Sequence, residues 1–115
     1  MDSELPLESL SVESMHNGHK SLNLTEQVSW AGFPTYASEL GRVLENCRAP
    51  RVVADSVEMR IWELSISNVT VSLVWNDFPN MVSLESRDDL GDAVIAKAFL
   101  VLRDHLVRKH RHERP

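Results

Sequence analysis

Residues 58–75, EMRIWELSISNVTVSLVW, decide the fold. From Val69 to Trp75 the chain shows its clearest period of two: Val69, Val71, Leu73 and Trp75 fall on one side, Thr70 and Ser72 on the other. A period of two marks a strand half-buried in a sheet. Glu58–Ile66 repeats it, with Trp62, Leu64 and Ile66 on one face and Met59 and Ile61 on the other. Between the runs, Ser67-Asn68 is a candidate two-residue hairpin turn, although it lacks the glycine such turns favour. Outward from this pair, Arg51–Ala54 reads as a short strand, Asn76–Asn80 as a loop and Met81–Glu85 as a further strand. The segment predicts an antiparallel meander with one face covered by helices.

The flanks supply the helices. A first strand is predicted at Leu24–Trp30, broken by Gly32-Phe33-Pro34-Thr35, where Pro34 suits the first turn of a helix. Tyr36, Leu40, Val43, Leu44 and Cys47 then form one apolar helical stripe that Ala49-Pro50 ends. Gly41 inside it is consistent with a close approach to the sheet. At the other end, Ser86 with Asp89 three residues later reads as a capping box. Asp88, Asp89 and Asp92 sit at the positive end of that helix, and Arg103, Arg108 and Lys109 at its negative end. Its main stripe is Leu90, Val94, Ile95, Ala98, Val101, Leu102 and His105. Ala93, Ala96, Leu100 and Val107 lie on the other side, so this helix is apolar round most of its circumference and those four residues are a candidate dimer interface. The expected fold is α+β: an antiparallel sheet of four to five strands in the order strand-helix-strand-strand-strand-strand-helix, with two helices on one face. The domain is placed at residues 24–107, after a disordered lead at 1–23 rich in Ser, Glu and Asn, and before a basic tail at 108–115.

Length and charge narrow the function. With 115 residues the chain makes one domain. Net charge is −5, but from Arg103 to the end there are five Lys/Arg against two acids. Asp55 to Asp92 holds eight acids against Arg60 and Arg87, a net of −6. An acidic surface repels nucleic acid and attracts basic proteins, leaving the tail only weak, salt-sensitive contacts with RNA. Cys47 is the only cysteine, which excludes an internal disulfide and points to a reducing, cytoplasmic location. No apolar run spans a bilayer, and the acidic N-terminus does not read as a signal peptide.

Catalytic equipment is sparse. His16, His19, His110 and His112 fall in the segments expected to be disordered, and His105 lies on an apolar stripe. Cys47 is expected at a helix C-terminus, which raises a thiol pKa. The four glycines are isolated, so no phosphate loop is present. Asp88, Asp89 and Asp92 are explained as helix-capping residues. No catalytic residue, cofactor or metal is expected.

The runs Ile61-Trp62-Glu63-Leu64, Val71-Ser72-Leu73-Val74-Trp75-Asn76-Asp77 and Val82-Ser83-Leu84-Glu85, followed by a capped helix, resemble small acidic bacterial proteins of uncharacterised or toxin-immunity type. The resemblance spans roughly residues 25–107 and is one of style, without a diagnostic motif. It implies a non-enzymatic domain that covers a basic toxin or nuclease through its acidic side, with Asp77, Glu85, Asp88, Asp89 and Asp92 facing the partner and Trp75 and Phe78 as aromatic anchors. A second resemblance is to the small acidic, dimeric chaperones of bacterial protein secretion. It implies a homodimer through the last helix, as would a regulatory homodimer.

Overall fold

The computed structural model describes residues 5–44 and 47–113, the last four as helix backbone only. Its elements are β1 Ser11–Ser14, β2 Lys20–Thr25, α1 Phe33–Val43, β3 Arg51–Asp55, β4 Met59–Ile66, β5 Val69–Asn76, β6 Met81–Glu85 and α2 Asp89–Glu113. The strands form one antiparallel sheet in the order β1-β2-β6-β5-β4-β3. The α+β class and the meander are as the periodicity predicts; the strand count is six.

β4 and β5 pair along their full length, from Met59 opposite Asn76 to Ile66 opposite Val69. Ser67 and Asn68 make the turn, with φ of 52° and 68°. Two consecutive left-handed residues give the turn whose twist matches that of the strands. Paired residues share a face, so Trp62, Leu64, Val71, Leu73 and Trp75 line up with Val82 and Leu84 on β6, and with Leu22 on β2. Against this face pack Phe33, Tyr36, Ala37 and Leu40 of α1, and Ile95, Ala98 and Leu102 of α2. Both helices therefore cover one face. Phe33 meets Trp62 edge-on, with ring centroids 5.1 Å apart.

The amino-terminal part departs from expectation. Residues 5–23, expected within a disordered lead, are built into the fold; residues 1–4 lie outside the described residues. Leu22 and Leu24 of β2 are fully buried, and β1 adds an edge strand through backbone pairing. Leu5 and Leu7 enter the core, the Tyr36 hydroxyl donates to the Pro6 carbonyl at 2.9 Å, and the Glu8 carboxylate accepts from Thr25 Oγ1 and the Glu26 N–H, each at 2.6 Å. The strand expected at Leu24–Trp30 ends at Thr25. Beyond it Val28 is buried in irregular chain and Trp30 is 43% exposed.

Both helix ends also move. α1 ends at Val43, with Leu44 extended, so Cys47 is not on the helix; it forms an isolated bridge to Ile66. The cap of α2 is Asp88, not Ser86: Asp88 Oδ1 accepts the Gly91 N–H at 2.7 Å, and Ser86 Oγ donates to the Asp88 carbonyl. α2 runs on to Glu113, so residues 108–113 of the expected tail are helical.

The two helical glycines predict opposite effects of one substitution. A Cβ at Gly41 would meet only Cys47 Sγ at 3.6 Å, not the sheet; one at Gly91 would come within 2.5 Å of Ser86 Oγ. Gly41→Ala is expected to stabilise by roughly 0.5–1 kcal/mol, and Gly91→Ala to destabilise. Replacing Ser67-Asn68 by Asn-Gly is expected to raise stability by about 1 kcal/mol, by relieving left-handed backbone at a non-glycine position. Urea midpoints of the three variants check all three signs.

Candidate functional site: the uncovered face of the sheet

Parity leaves the second face of the sheet without a helix over it. One row of cross-strand neighbours runs Glu13, Ser21, Glu85, Ser72, Glu63, Arg51, one residue from each strand. Next to it lies the row Ser11, Asn23, Ser83, Val74 and Ile61, and beyond that Met81, Asn76 and Met59. The β1, β2 and β6 half of the face is therefore polar, and the β4 and β5 half carries Met59, Ile61 and Val74.

Charges on this face are not equivalent. Arg87 donates to Glu63 Oε2 at 2.8 Å and to Ser72 Oγ at 3.0 Å, and Arg51 lies 3.6 Å from the other Glu63 oxygen. Hydrogen bonding from Arg87 holds the Glu63 carboxyl below the usual carboxylate range. Glu63 is thus neutralised. Glu13 and Glu85 have no ion-pair partner among the described residues; Glu85 Oε2 accepts only from Ser83 Oγ, at 3.2 Å. Two strand spacings separate them, about 10 Å. Between them is an open trough of about 760 Å³, whose walls include Glu13, Asn17, Ser21, Asn23, Ser83 and Glu85. Its far end reaches Asn76, Pro79 and Met81, at the foot of the loop that carries Phe78.

The expected partner residues do not form one patch. Trp75 is a core residue, 3% exposed, whose Nε1 donates to the Val28 carbonyl at 2.7 Å, so it cannot anchor a partner. Phe78 is 97% exposed beside Asp77, in the β5–β6 loop. Glu85 ends β6, and Asp88, Asp89 and Asp92 follow it, so the length of β6, about 13 Å, separates them from Asp77 and Phe78. Asp88 is occupied as a cap. Asp92 accepts the Lys20 N–H at 2.8 Å and faces His19 Nδ1 at 3.0 Å. Asp89 remains exposed. Ala93, Ala96, Leu100 and Val107 are all exposed on the outer side of α2. The net charge of −6 on the middle segment is therefore no single acidic face.

Sequence reasoning missed Glu13, Ser21 and Asn23, because it assigned them to a disordered lead. The alternation Ser21-Leu22-Asn23-Leu24 was the available signal. It also missed Arg60, a buried arginine bound by both oxygens of Asp55 at 2.9 Å, donating to the Trp30 carbonyl and stacked 4.1 Å from the Trp30 ring centroid.

Other titratable groups offer less. His19, Asp89 and Asp92 have ligand atoms within 4.8 Å of one another. The hydrogen bonds of Asp92 to His19 and Lys20 account for that cluster as a tie between the β1–β2 hairpin and the start of α2. Burial lowers the His105 pKa, with Lys109 and Arg108 adding to the effect, and burial raises the Cys47 thiol. His110 and His112 have side chains outside the described residues. No helix among the described residues is long and apolar enough to cross a membrane.

A two-layer α+β domain with an open six-stranded sheet is the class this architecture defines. The chain belongs to the family described as Protein of unknown function (DUF3630), whose model matches residues 10–103, from the residue before β1 well into α2. No curated protein and no solved structure matches the chain.

The His19–Asp92 tie predicts a pH dependence. The hydrogen bond to Asp92 raises the His19 pKa above its ordinary 6.5, and the bond from His19, with those from the Lys20 N–H and the Ser86 hydroxyl, lowers Asp92 from 3.8 to about 2. The histidine contribution is complete below pH 6.5 and is lost as pH rises through the raised folded value. The aspartate contribution is complete above pH 3.8 and is lost as pH falls towards 2. The stability lead of wild type over His19→Ala is expected to be largest between pH 4 and 6 and to shrink by pH 8. Urea midpoints across that range measure it.

Proposed function

We propose that the chain is a non-enzymatic, cytoplasmic protein-binding domain whose uncovered sheet face receives a basic partner. The observation that carries the reading is the trough itself: two uncompensated carboxylates, Glu13 and Glu85, across a floor of short polar side chains, beside an apolar margin that leads to Phe78. Lysine or arginine side chains match the carboxylates and the serine and asparagine acceptors between them. Met59, Met81 and the exposed Phe78 supply the apolar contact that fixes such a partner in place. A basic toxin or nuclease, of the kind that immunity proteins cover, fits this surface.

Two features support binding over catalysis. The histidine beside carboxylates, His19, is tied up in the fold. The groups in the trough are hydroxyls, amides and carboxylates, with His16 at the rim, and the hydroxyl that meets a carboxylate there, Ser83 on Glu85, does so through a long 3.2 Å bond between two residues of the same strand.

The test begins with the full chain as bait in its producing cells, expecting one stoichiometric basic protein. Affinity for that protein is then measured for Glu13→Lys with Glu85→Lys, for Phe78→Ala, and for Asp89→Lys as a control, an exposed acid at the start of α2 that does not line the trough. The first two variants are expected to bind at least about tenfold more weakly and the control to be unchanged. Unchanged binding of the double reversal would remove the proposal.

A further inference from the structure

We infer that α2 carries a second, independent docking surface whose occupant is another copy of this chain, bound with the two α2 helices antiparallel. α2 buries Ile95, Ala98 and Leu102 against the sheet. On the opposite side of the helix Ala93, Leu100 and Val107 recur every seven residues, with Ala96 beside them, and all four are exposed; Leu100 and Val107 are each 47% exposed. A strict seven-residue repeat keeps one stripe facing a second helix over several turns, and alanines beside leucine and valine let two helices approach closely.

Charge identifies the partner. Lys97 and Asp104 border the stripe, both exposed, and neither has an ion pair with a described residue of its own chain. They stand symmetrically about a point between Leu100 and Val101. A two-fold axis through that point brings Lys97 of each copy against Asp104 of the other, giving two reciprocal ion pairs around a Leu100–Leu100 contact. It also sets Ala93 of one copy near Val107 of the other. The same alignment opposes the helix dipoles favourably, acidic first turn against basic last turns. A parallel pair would carry Lys97 and Asp104 of the two copies to opposite borders of the seam, out of reach of each other, so the charges select one orientation as well as one occupant. An isologous contact of this kind closes at two copies.

Sedimentation of the full chain over a concentration series tests the inference. The wild type is expected to form a dimer that weakens as salt is raised. Leu100→Glu is expected to be monomeric at concentrations where the wild type is dimeric. Lys97→Glu alone and Asp104→Lys alone are expected to weaken the dimer, and the combined Lys97→Glu, Asp104→Lys chain to regain it. Circular dichroism confirms that each variant is folded, which is expected because these side chains are exposed. A wild type that stays monomeric at high micromolar concentration overturns the inference. So does a dimer that Leu100→Glu leaves intact, or a swapped chain no better than the single variants. None of these outcomes bears on the trough, whose residues lie on the other face of the sheet.

Discussion

Eight consecutive residue pairs join β4 to β5, and their register determines what every other element must cover. Because neighbours across a ladder share a face, that register gathers Trp62, Leu64, Val71, Leu73 and Trp75 on one side. Ile61, Glu63, Ser72 and Val74 are left on the other. A slip of one residue would exchange the two sets. The helices can serve only the apolar side, and β6 and β2 extend it with Val82, Leu84, Leu22 and Leu24. The uncovered polar face is thus the necessary complement of the core, and the trough is made from what the core leaves out.

The same parity places Arg60 inward, at the loop end of β4, where an apolar residue would be the simpler choice. A buried guanidinium is costly unless every donor finds an acceptor. Here Asp55 takes two hydrogen bonds and the Trp30 carbonyl a third, while Trp30, Trp62 and Phe33 present rings at 4.1, 5.3 and 5.6 Å. Trp30 also donates from Nε1 to the Ser56 carbonyl, so one arginine ties the β2–α1 loop to the β3–β4 turn. Asp55 is held below the usual carboxylate range chiefly by its bond to Arg60. Two of the eight acids of the middle segment, Asp55 and Glu63, thereby serve the fold, which is why net charge along the chain overstates the acidity a partner would meet.

The meander and α2 were legible in the sequence because their periodicity is long: eight residues in each of β4 and β5, and several turns of α2. The hairpin β1–β2 was not. All four residues of β1 are exposed, so its place is set by backbone hydrogen bonds that leave no side-chain pattern. In β2, two leucines sit in a stretch of Ser, Asn and Lys, and composition outweighed a short alternation. That omission removed half of the candidate site, since Glu13, Ser21 and Asn23 come from those strands. Asp77 and Glu85 were both visible as acids. Their separation was not, because spacing along the chain does not say that a strand runs between them. Trp75 misled for a related reason: an aromatic at an inward strand position is core first, and only an exposed one such as Phe78 is available to a partner.

The sheet has an acidic, polar face on one side, and α2 carries a self-complementary stripe on the far side of the helix layer. The core lies between them, so occupancy of one surface need not obstruct the other. A pair of chains joined along α2 would carry two troughs directed away from each other, on a rigid frame rather than a flexible linker. Such a frame gains avidity only for a partner whose basic sites are themselves spaced to match; a single compact partner would bind each trough independently. The stoichiometry with which a partner saturates the dimer therefore reports the partner's own geometry as well as the number of sites.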